Sequence, residues 1–368
     1  MPLFDNDCNR LMLDFKRYSQ KTGDLQIYSD KYENLVIKFY KEDRGIKWRI
    51  RSGVWFERFR LRLDVIEVTI NPKILSGIRD YITAADCNDM DVAIFKFNRI
   101  SKEISPVLRT FENYGFRRID YCINFLVDEL APKCTSELIM DLIRRGDIPR
   151  FYKEWMQYDK RSHRLKASPD SFYLMSRIAH INCYRKSVDL QNRRNKGITT
   201  ITQAIVDEAQ GIIRFEVQCK FPKICSLARR IGKDSSSSFN KYQELLGYHA
   251  CLEQINHYYK VTIGAGDWFS LSLAQKIIRG HRFHKQKTER LLNVLQEVNQ
   301  CRSLAKAKAK HQGSDLAAFK RTVKDLADIG INPVTIPREW GIDHIPNLLH
   351  KFNDMDLARV ACPDLPLI

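Results

Sequence analysis

Residues 211–221 read Gly-Ile-Ile-Arg-Phe-Glu-Val-Gln-Cys-Lys-Phe. Ile213, Phe215, Val217, Cys219 and Phe221 fall on one side of an extended chain, and Arg214, Glu216, Gln218 and Lys220 on the other. That period of two marks a half-buried strand. Two further stretches repeat it. Residues 117–125 (RRIDYCINF) set Ile119, Tyr121, Ile123 and Phe125 against Arg118, Asp120, Cys122 and Asn124. Residues 176–186 (SRIAHINCYRK) set Ala179, Ile181 and Cys183 against His180, Asn182, Tyr184 and Lys186. If the three share an antiparallel sheet with helices behind it, the outer face gathers two carboxylates, a tyrosine, a lysine, a histidine and arginines.

Upstream, residues 47–51 and 58–70 alternate in the same way, with arginines on one face, and stop at the turn signal Asn71-Pro72. A helix is expected over 89–102 with Val92, Phe95 and Ile100 inward, a second from Ser105-Pro106, and a third over 135–145. Residues 155–169 read as a basic loop. Downstream the style changes. Residues 232–238, rich in serine, read as a linker or helix start. Helices are then expected over 242–259, 271–278 and 287–310, the last with Leu291, Leu295 and Val298 at helical spacing. A final unit carries Phe319, Val323 and Leu326 into Gly330. The fold class is α+β: an antiparallel-sheet domain over 1–234 with helices on one face, and a mainly helical domain over 235–368.

The chain has 368 residues, 61 Lys and Arg against 44 Asp and Glu, and a net charge of +17. That length favours two domains. A 44% hydrophobic and 11% aromatic content excludes a disordered polycation. The excess charge points to a polyanionic partner, nucleic acid first. The ten cysteines contain no CxxC pair, which argues against a zinc knuckle or a disulfide framework. Residues 1–10 show no basic region leading into an apolar run, and no stretch approaches the roughly 18 apolar residues of a membrane span. A cytoplasmic protein without membrane contact is the expectation.

The polar strand faces suit phosphodiester chemistry. Asp120 and Glu216 side by side would repel unless a divalent cation lay between them, and hard oxygen ligands select Mg²⁺ or Mn²⁺. Tyr184 would then attack phosphorus and form a phosphotyrosine. A free phenol with a pKa near 10 is only about 0.1% ionised at neutral pH, so a cation must assist. Lys186, two residues on, is placed to do so. Singly, each residue also has a plainer role: a carboxylate paired with Arg118 or Arg214, or a tyrosine that packs. His180 reads either as a metal ligand or as a hydrogen-bonding neighbour, and Glu67 either as a third ligand or as a strand-end charge. His281 and His284 read as surface.

At these same residues the sequence resembles the replication initiation proteins of rolling-circle plasmids and filamentous phages, of the gene II type, a branch related to the HUH endonucleases. The resemblance lies in Arg118-Ile119-Asp120, Cys183-Tyr184-Arg185-Lys186 and Arg214-Phe215-Glu216, in that order, with a weaker echo at 71–75. It covers about residues 60–225. It implies a Rep-type nicking endonuclease that cuts one strand at an origin, stays joined to the 5′ phosphate, leaves a 3′ hydroxyl for the polymerase and later rejoins the circle. Tyr184 corresponds to the nucleophile, Asp120 and Glu216 to the acidic residues. Two departures stand out: the paired histidines that name the superfamily are absent, and Asn124 stands where a second acid often follows.

Basic residues cluster over 44–62, 220–233 and 281–310. Arg58, Arg60, Arg62, Arg118, Arg214 and Lys220 are the candidate DNA contacts. The third cluster reads equally as a DNA-gripping helix or a solvated face, and residues 319–340 as a helix-turn-helix or a dimerisation element. The expected function is rolling-circle initiation on origin DNA, with a host helicase and polymerase as further partners. The alternatives are a relaxase- or transposase-like nickase and a non-catalytic regulator. Should Tyr184 not be the nucleophile, Tyr173 and Tyr158 come next.

Overall fold

The computed structural model describes residues 2–3, 5–39, 44–56, 60–77, 80–128, 130–159, 163–198, 200–232 and 243–351. The fold is α+β with antiparallel sheets, and its contacts group into two compact units. The first takes the residues up to Arg117 with Gly197–Ile205 and Ile224–Ala250. The second takes Arg118–Lys196, Val206–Lys223 and the described residues from Cys251 onward.

The first unit holds β1 (Pro2–Leu3), α1 (Asp5–Thr22), β2 (Leu25–Ser29), β3 (Leu35–Phe39), β4 (Ile46–Phe56), β5 (Leu61–Ile70), the one-turn α2 (Pro72–Leu75) and α3 (Cys87–Ile104). Its strands form a five-stranded sheet in the order β1-β5-β4-β3-β2. Trp48, fully buried, anchors the core between Phe15 at 5.5 Å and Phe39 at 6.0 Å, ring centroid to centroid. Asn71 caps α2 through its side chain, so the expected turn becomes a helix start.

Asp86 and Asp89 form a capping box that starts α3 earlier than expected. The buried face of α3 is Ala93, Phe97, Ile100 and Ile104, whereas Val92 and Phe95 are exposed, which corrects the expected inward set. The spacing 93, 97, 100, 104 is the continuous helical stripe; 92 and 95 lie outside it. No helix begins at Ser105. Its backbone N–H donates to the Ser101 carbonyl as the C-cap of α3, and only a 3₁₀ turn, Phe111–Asn113, follows.

The second unit opens with β6 (Arg118–Leu126) and α4 (Ser136–Arg144), the latter capped by Thr135. Then come β7 (Lys153–Glu154), β8 (Gln157–Asp159), β9 (Arg164–Lys166), β10 (Ser171–Met175), β11 (Ala179–Arg185) and α5 (Lys186–Asn195). After α6 (Gln203–Glu208) the chain returns as β12 (Ile212–Lys220) and leaves through α7 (Phe221–Ile231). Gly211, at φ 70°, turns into β12 in the left-handed region that a side chain would strain. The sheet order is β6-β12-β11-β10-β7, all antiparallel.

The expected alternation holds within all three strands that decide the fold: Ile119, Tyr121, Ile123, Phe125, Ala179, Ile181, Cys183, Ile213, Phe215, Val217 and Cys219 are buried, whereas Phe221, expected on the same side, opens α7 and is exposed. Burial of each large apolar side chain contributes about 1.5–3 kcal/mol. Met140 and Ile143 of α4 are buried too, and α8 (Tyr248–Thr262) packs Tyr259 on Phe125 at 6.2 Å and on Phe215 at 5.6 Å. The basic stretch 155–169, expected as a loop, contains the β8–β9 hairpin.

The change of style near residue 234 does not coincide with the division of the fold. The sheet needs an apolar lid on its inner face, and α8 from beyond that point supplies it. Residues 233–242, with most of the expected linker, lie outside the described residues. Further on come β13 (Trp268–Phe269), α9 (Leu271–Gly280), α10 (Lys285–Cys301), α11 (Leu304–Lys308), α12 (Gly313–Asp328) and β14 (His344–Ile345). Leu291, Leu295 and Val298 are buried as expected. The single helix expected over 287–310 is broken at Arg302, in the left-handed region at φ 50°, and restarts with Ser303 as N-cap.

This region ties back to the loop after α4: the Leu304 amide donates to the Arg145 carbonyl at 2.7 Å, and Lys308 Nζ binds Asp147 and the Ile148 carbonyl. Phe319 and Leu326 are buried on α12, and Gly330 follows at φ 76°. Beyond α12 the described chain up to residue 351 contains a 3₁₀ turn, Arg338–Trp340, and no second long helix of a helix-turn-helix. The described cysteines Cys134, Cys183 and Cys219 are buried free thiols. Among the described residues no helix is long and apolar enough to cross a membrane.

Candidate active site

Strand register assembles the outer face of the second sheet into rows. Met175, His180, Gln218 and Asp120 lie directly across from one another on β10, β11, β12 and β6. The next row is Tyr173, Asn182, Glu216 and Cys122, and the third Ser171, Tyr184, Arg214 and Asn124. Asp120 and Glu216 therefore share a face, as expected, and are diagonal neighbours on adjacent strands with backbones about 7–8 Å apart. Tyr184 and Glu216 are diagonal neighbours in the same sense.

The hydroxyl of Tyr184 donates to Glu216 Oε2 at 3.3 Å, and Gln218 Nε2 donates to Glu216 Oε1 at 2.7 Å. Gln218 is also bonded to His180, whose Nδ1 lies 2.8 Å from the Tyr173 hydroxyl. A chain of hydrogen bonds thus runs Tyr173, His180, Gln218, Glu216, Tyr184. Burial, with Lys220 adding to it, holds the His180 imidazole below its usual pKa, hence neutral near pH 7. His180 takes the role of hydrogen-bonding neighbour here. Asp120 is bonded by Arg118 at 2.6 Å.

Burial first, and Glu216 second, push the Tyr184 phenol well above its usual pKa. Arg214 offsets this in part: it lies half-buried in the same row, its Nε donating to Asn124 Oδ1 at 2.8 Å, and it bonds Tyr184 as well. Lys186 does not extend the strand, as was expected, but opens α5. No side chain caps that helix, and only Val188 and Leu190 mark its apolar side, so the sequence carries little signal for it. Lys186 is nevertheless 1% exposed, with Nζ 5.9 Å from the Tyr184 ring centroid and 3.3 Å from Asp189 Oδ2. Burial, with Arg214 adding to it, brings its pKa down to about 8.

Tyr184 lines a cleft of ≈ 630 Å³. The β8–β9 hairpin forms one wall through Tyr158 and Lys166, and α5 the other through Val188 and Asn192. Asp170 and Arg185, which sequence reasoning passed over, also line it and pair at 2.7 Å. Among the described residues no group of three or more His, Cys, Asp or Glu stands close enough to hold a metal ion.

The remaining candidates fall into different settings. Lys220 Nζ donates to the Ser176 carbonyl at 2.9 Å. In the first sheet Arg60 and Arg62 are exposed where β5 begins; Arg58 lies outside the described residues. Glu67 is bonded by Arg51 at 2.9 Å and by Arg117 at 3.2 Å, which fits a strand-end charge. His284 caps α10 by accepting from the Lys287 amide, and His281 stacks on Phe283. In comparisons with known proteins, no family model and no curated protein matches this sequence.

Proposed function

We propose that the outer face of the second sheet is the active face of a DNA strand transferase of the Rep type, which nicks and rejoins one strand through Tyr184. The observation that carries this reading is the 3.3 Å hydrogen bond from the Tyr184 hydroxyl to Glu216, at the edge of a cleft and beside two cations. A phenol kept protonated by burial needs a base within reach at the moment of attack, and Glu216 is that base.

In the step, Tyr184 passes its proton to Glu216 Oε2 as Oη bonds to phosphorus. The bond from phosphorus to the 3′ oxygen breaks, and that oxygen takes a proton from water. Arg214 and Lys186 balance the charge on the phosphoryl oxygens. Rejoining is the reverse: the 3′ hydroxyl loses its proton to water as it attacks the phosphotyrosine, and Glu216 returns its proton to the leaving Tyr184 oxygen. If the reaction uses a Mg²⁺ or Mn²⁺ ion, Asp120 and Glu216 are the carboxylates that would hold it, and it would supply Lewis acidity at the phosphate. His180 and Gln218 orient Glu216.

Placing this chemistry at a replication origin rests on the resemblance in the three strand blocks and on the basic charge. Origin DNA is the proposed substrate, and the freed 3′ hydroxyl is what a host polymerase extends behind a helicase. The test is incubation with origin-containing single strands and Mg²⁺ or Mn²⁺, followed by denaturing electrophoresis. The expected result is a protein–DNA adduct mapped to Tyr184, lost in Tyr184→Phe while DNA binding stays nearly unchanged. Undiminished adduct in Tyr184→Phe overturns the assignment; absence of any cleavage of origin strands by the wild type leaves a binding protein.

A further inference from the structure

Residues 150–166 carry six basic side chains against two acids, interleaved with Phe151, Tyr152, Trp155 and Tyr158. In a folded protein such aromatics normally turn inward. Here Phe151 is 80% exposed, Tyr158 59% and Trp155 39%. They are not loosely placed. The Trp155 amide donates to the Tyr173 carbonyl at 2.8 Å, and its ring meets the Tyr173 ring edge-to-face at 6.3 Å. The Tyr158 hydroxyl reaches His163 Nδ1 at 3.0 Å across the β8–β9 hairpin. Arg150 lies over the Phe151 ring at 5.2 Å, and Lys153, Arg164 and Lys166 are exposed along the same stretch.

Exposed aromatic faces beside cations suit one kind of polyanion. Duplex DNA hides its base faces in the stack, so it gains only from the charges; a single strand offers a face at every base and a phosphate between each pair. Tyr158 and Lys166 also form the wall of the ≈ 630 Å³ cleft that Tyr184 lines, which has room for a nucleotide. We propose that Phe151, Trp155 and Tyr158 form a stacking platform for single-stranded DNA, and that the cleft takes the nucleotide next to the phosphate that Tyr184 attacks. This rests on the nicking reading for the role of Tyr184, but the platform itself is testable without cleavage.

The experiment measures binding of a fluorescein-labelled oligothymidylate of about 16 nucleotides, a length that fills a typical single-strand site, to the full chain in EDTA. A duplex of the same length is run in parallel. Trp155→Ala and Tyr158→Ala each weaken binding of the single strand about tenfold, the usual worth of one base–aromatic stack, while Tyr158→Phe, which keeps the ring, binds as the wild type does. Duplex affinity changes less than threefold. Wild-type single-strand affinity in the alanine variants, or an equal loss on duplex, overturns the platform. Failure of the nicking reading shows separately, as wild-type protein that forms no adduct with origin strands; adduct that persists in Tyr184→Phe moves the nucleophile and leaves the platform to its own test.

Discussion

The two five-stranded antiparallel sheets resemble each other in composition and differ in what their polar residues do. In the first, the charges of the strands largely answer one another: Arg49 pairs with Asp30 at 3.4 Å and Arg51 with Glu67 at 2.9 Å. In the second, the polar groups converge on one carboxylate, with Gln218 and Tyr184 both donating to Glu216 and His180 and Tyr173 lying behind Gln218. Alternating arginines therefore do not identify a working surface. What separates the two is register, which in the second sheet sets a proton donor diagonal to a carboxylate, and the start of α5, which brings a buried lysine beside the donor.

Two glutamates give the largest contrast. Glu216→Gln keeps the size of the side chain and removes its basicity. We expect adduct formation to fall about 10²–10⁴-fold, the usual share of a general base. Glu67→Gln removes the same charge from the first sheet and should leave the cleavage rate within about twofold, because Arg51 and Arg117 are its partners there. Single-turnover cleavage of an origin oligonucleotide reads both. Equal losses would erase the distinction between the sheets.

The cores should show no such contrast. Trp48 and Phe215 are each fully buried among aromatic rings in their own sheet. Truncation of either to Ala should cost about 3–5 kcal/mol in urea unfolding. A cost confined to one of them would show that the other sheet is held by something besides its apolar face.

The strands were legible because alternation is local: each apolar and polar residue of β6, β11 and β12 declares its face within nine residues or fewer. The pairing of Tyr184 with Glu216 was not, since it depends on the register between β11 and β12, which no single strand encodes. Lys186 shows another limit. Its place two residues after Tyr184 suggested the strand face, and the structure brings it near the Tyr184 ring, yet by way of a helix start whose N-cap, Arg185, makes no capping bond. Val92 and Phe95 were misread because α3 presents more apolar residues than one stripe can bury. The cut at 234 followed composition, whereas the second sheet recruits its apolar cover from α8, beyond the strands themselves.

Lys186 offers a test of moderate size in which sign matters. Its folded pKa of about 8 lies below the usual lysine value, so between about pH 8 and pH 10 the unfolded chain holds more protons than the folded one. Stability should rise with pH across that window. Lys186→Met should therefore stabilise the protein at pH 7, with Arg193 still bonded to Asp189, and the gain should shrink as pH rises through the window. Cleavage should move the other way. In the proposed step the ammonium balances phosphoryl charge, so the wild-type rate should decline above about pH 8, and the variant should be slower with no decline there. Denaturant melts and cleavage rates at matched pH values check the two halves.

The smallest effect concerns the exposed arginines of the first sheet. If binding to duplex neutralises about six phosphates, the logarithm of affinity falls with that of salt at a slope near −5. Arg60→Ala and Arg62→Ala should each make this slope shallower by about 1 and weaken binding alike on every sequence, because a phosphate contact carries no base information. Arg51→Ala should leave the slope unchanged. Its guanidinium already faces Glu67, and an arginine committed to a carboxylate releases no counterion when DNA arrives. A slope altered equally by Arg51 and Arg62 would mean that the ion pairs of this sheet open on contact with DNA, so that Arg51 exchanges Glu67 for phosphate.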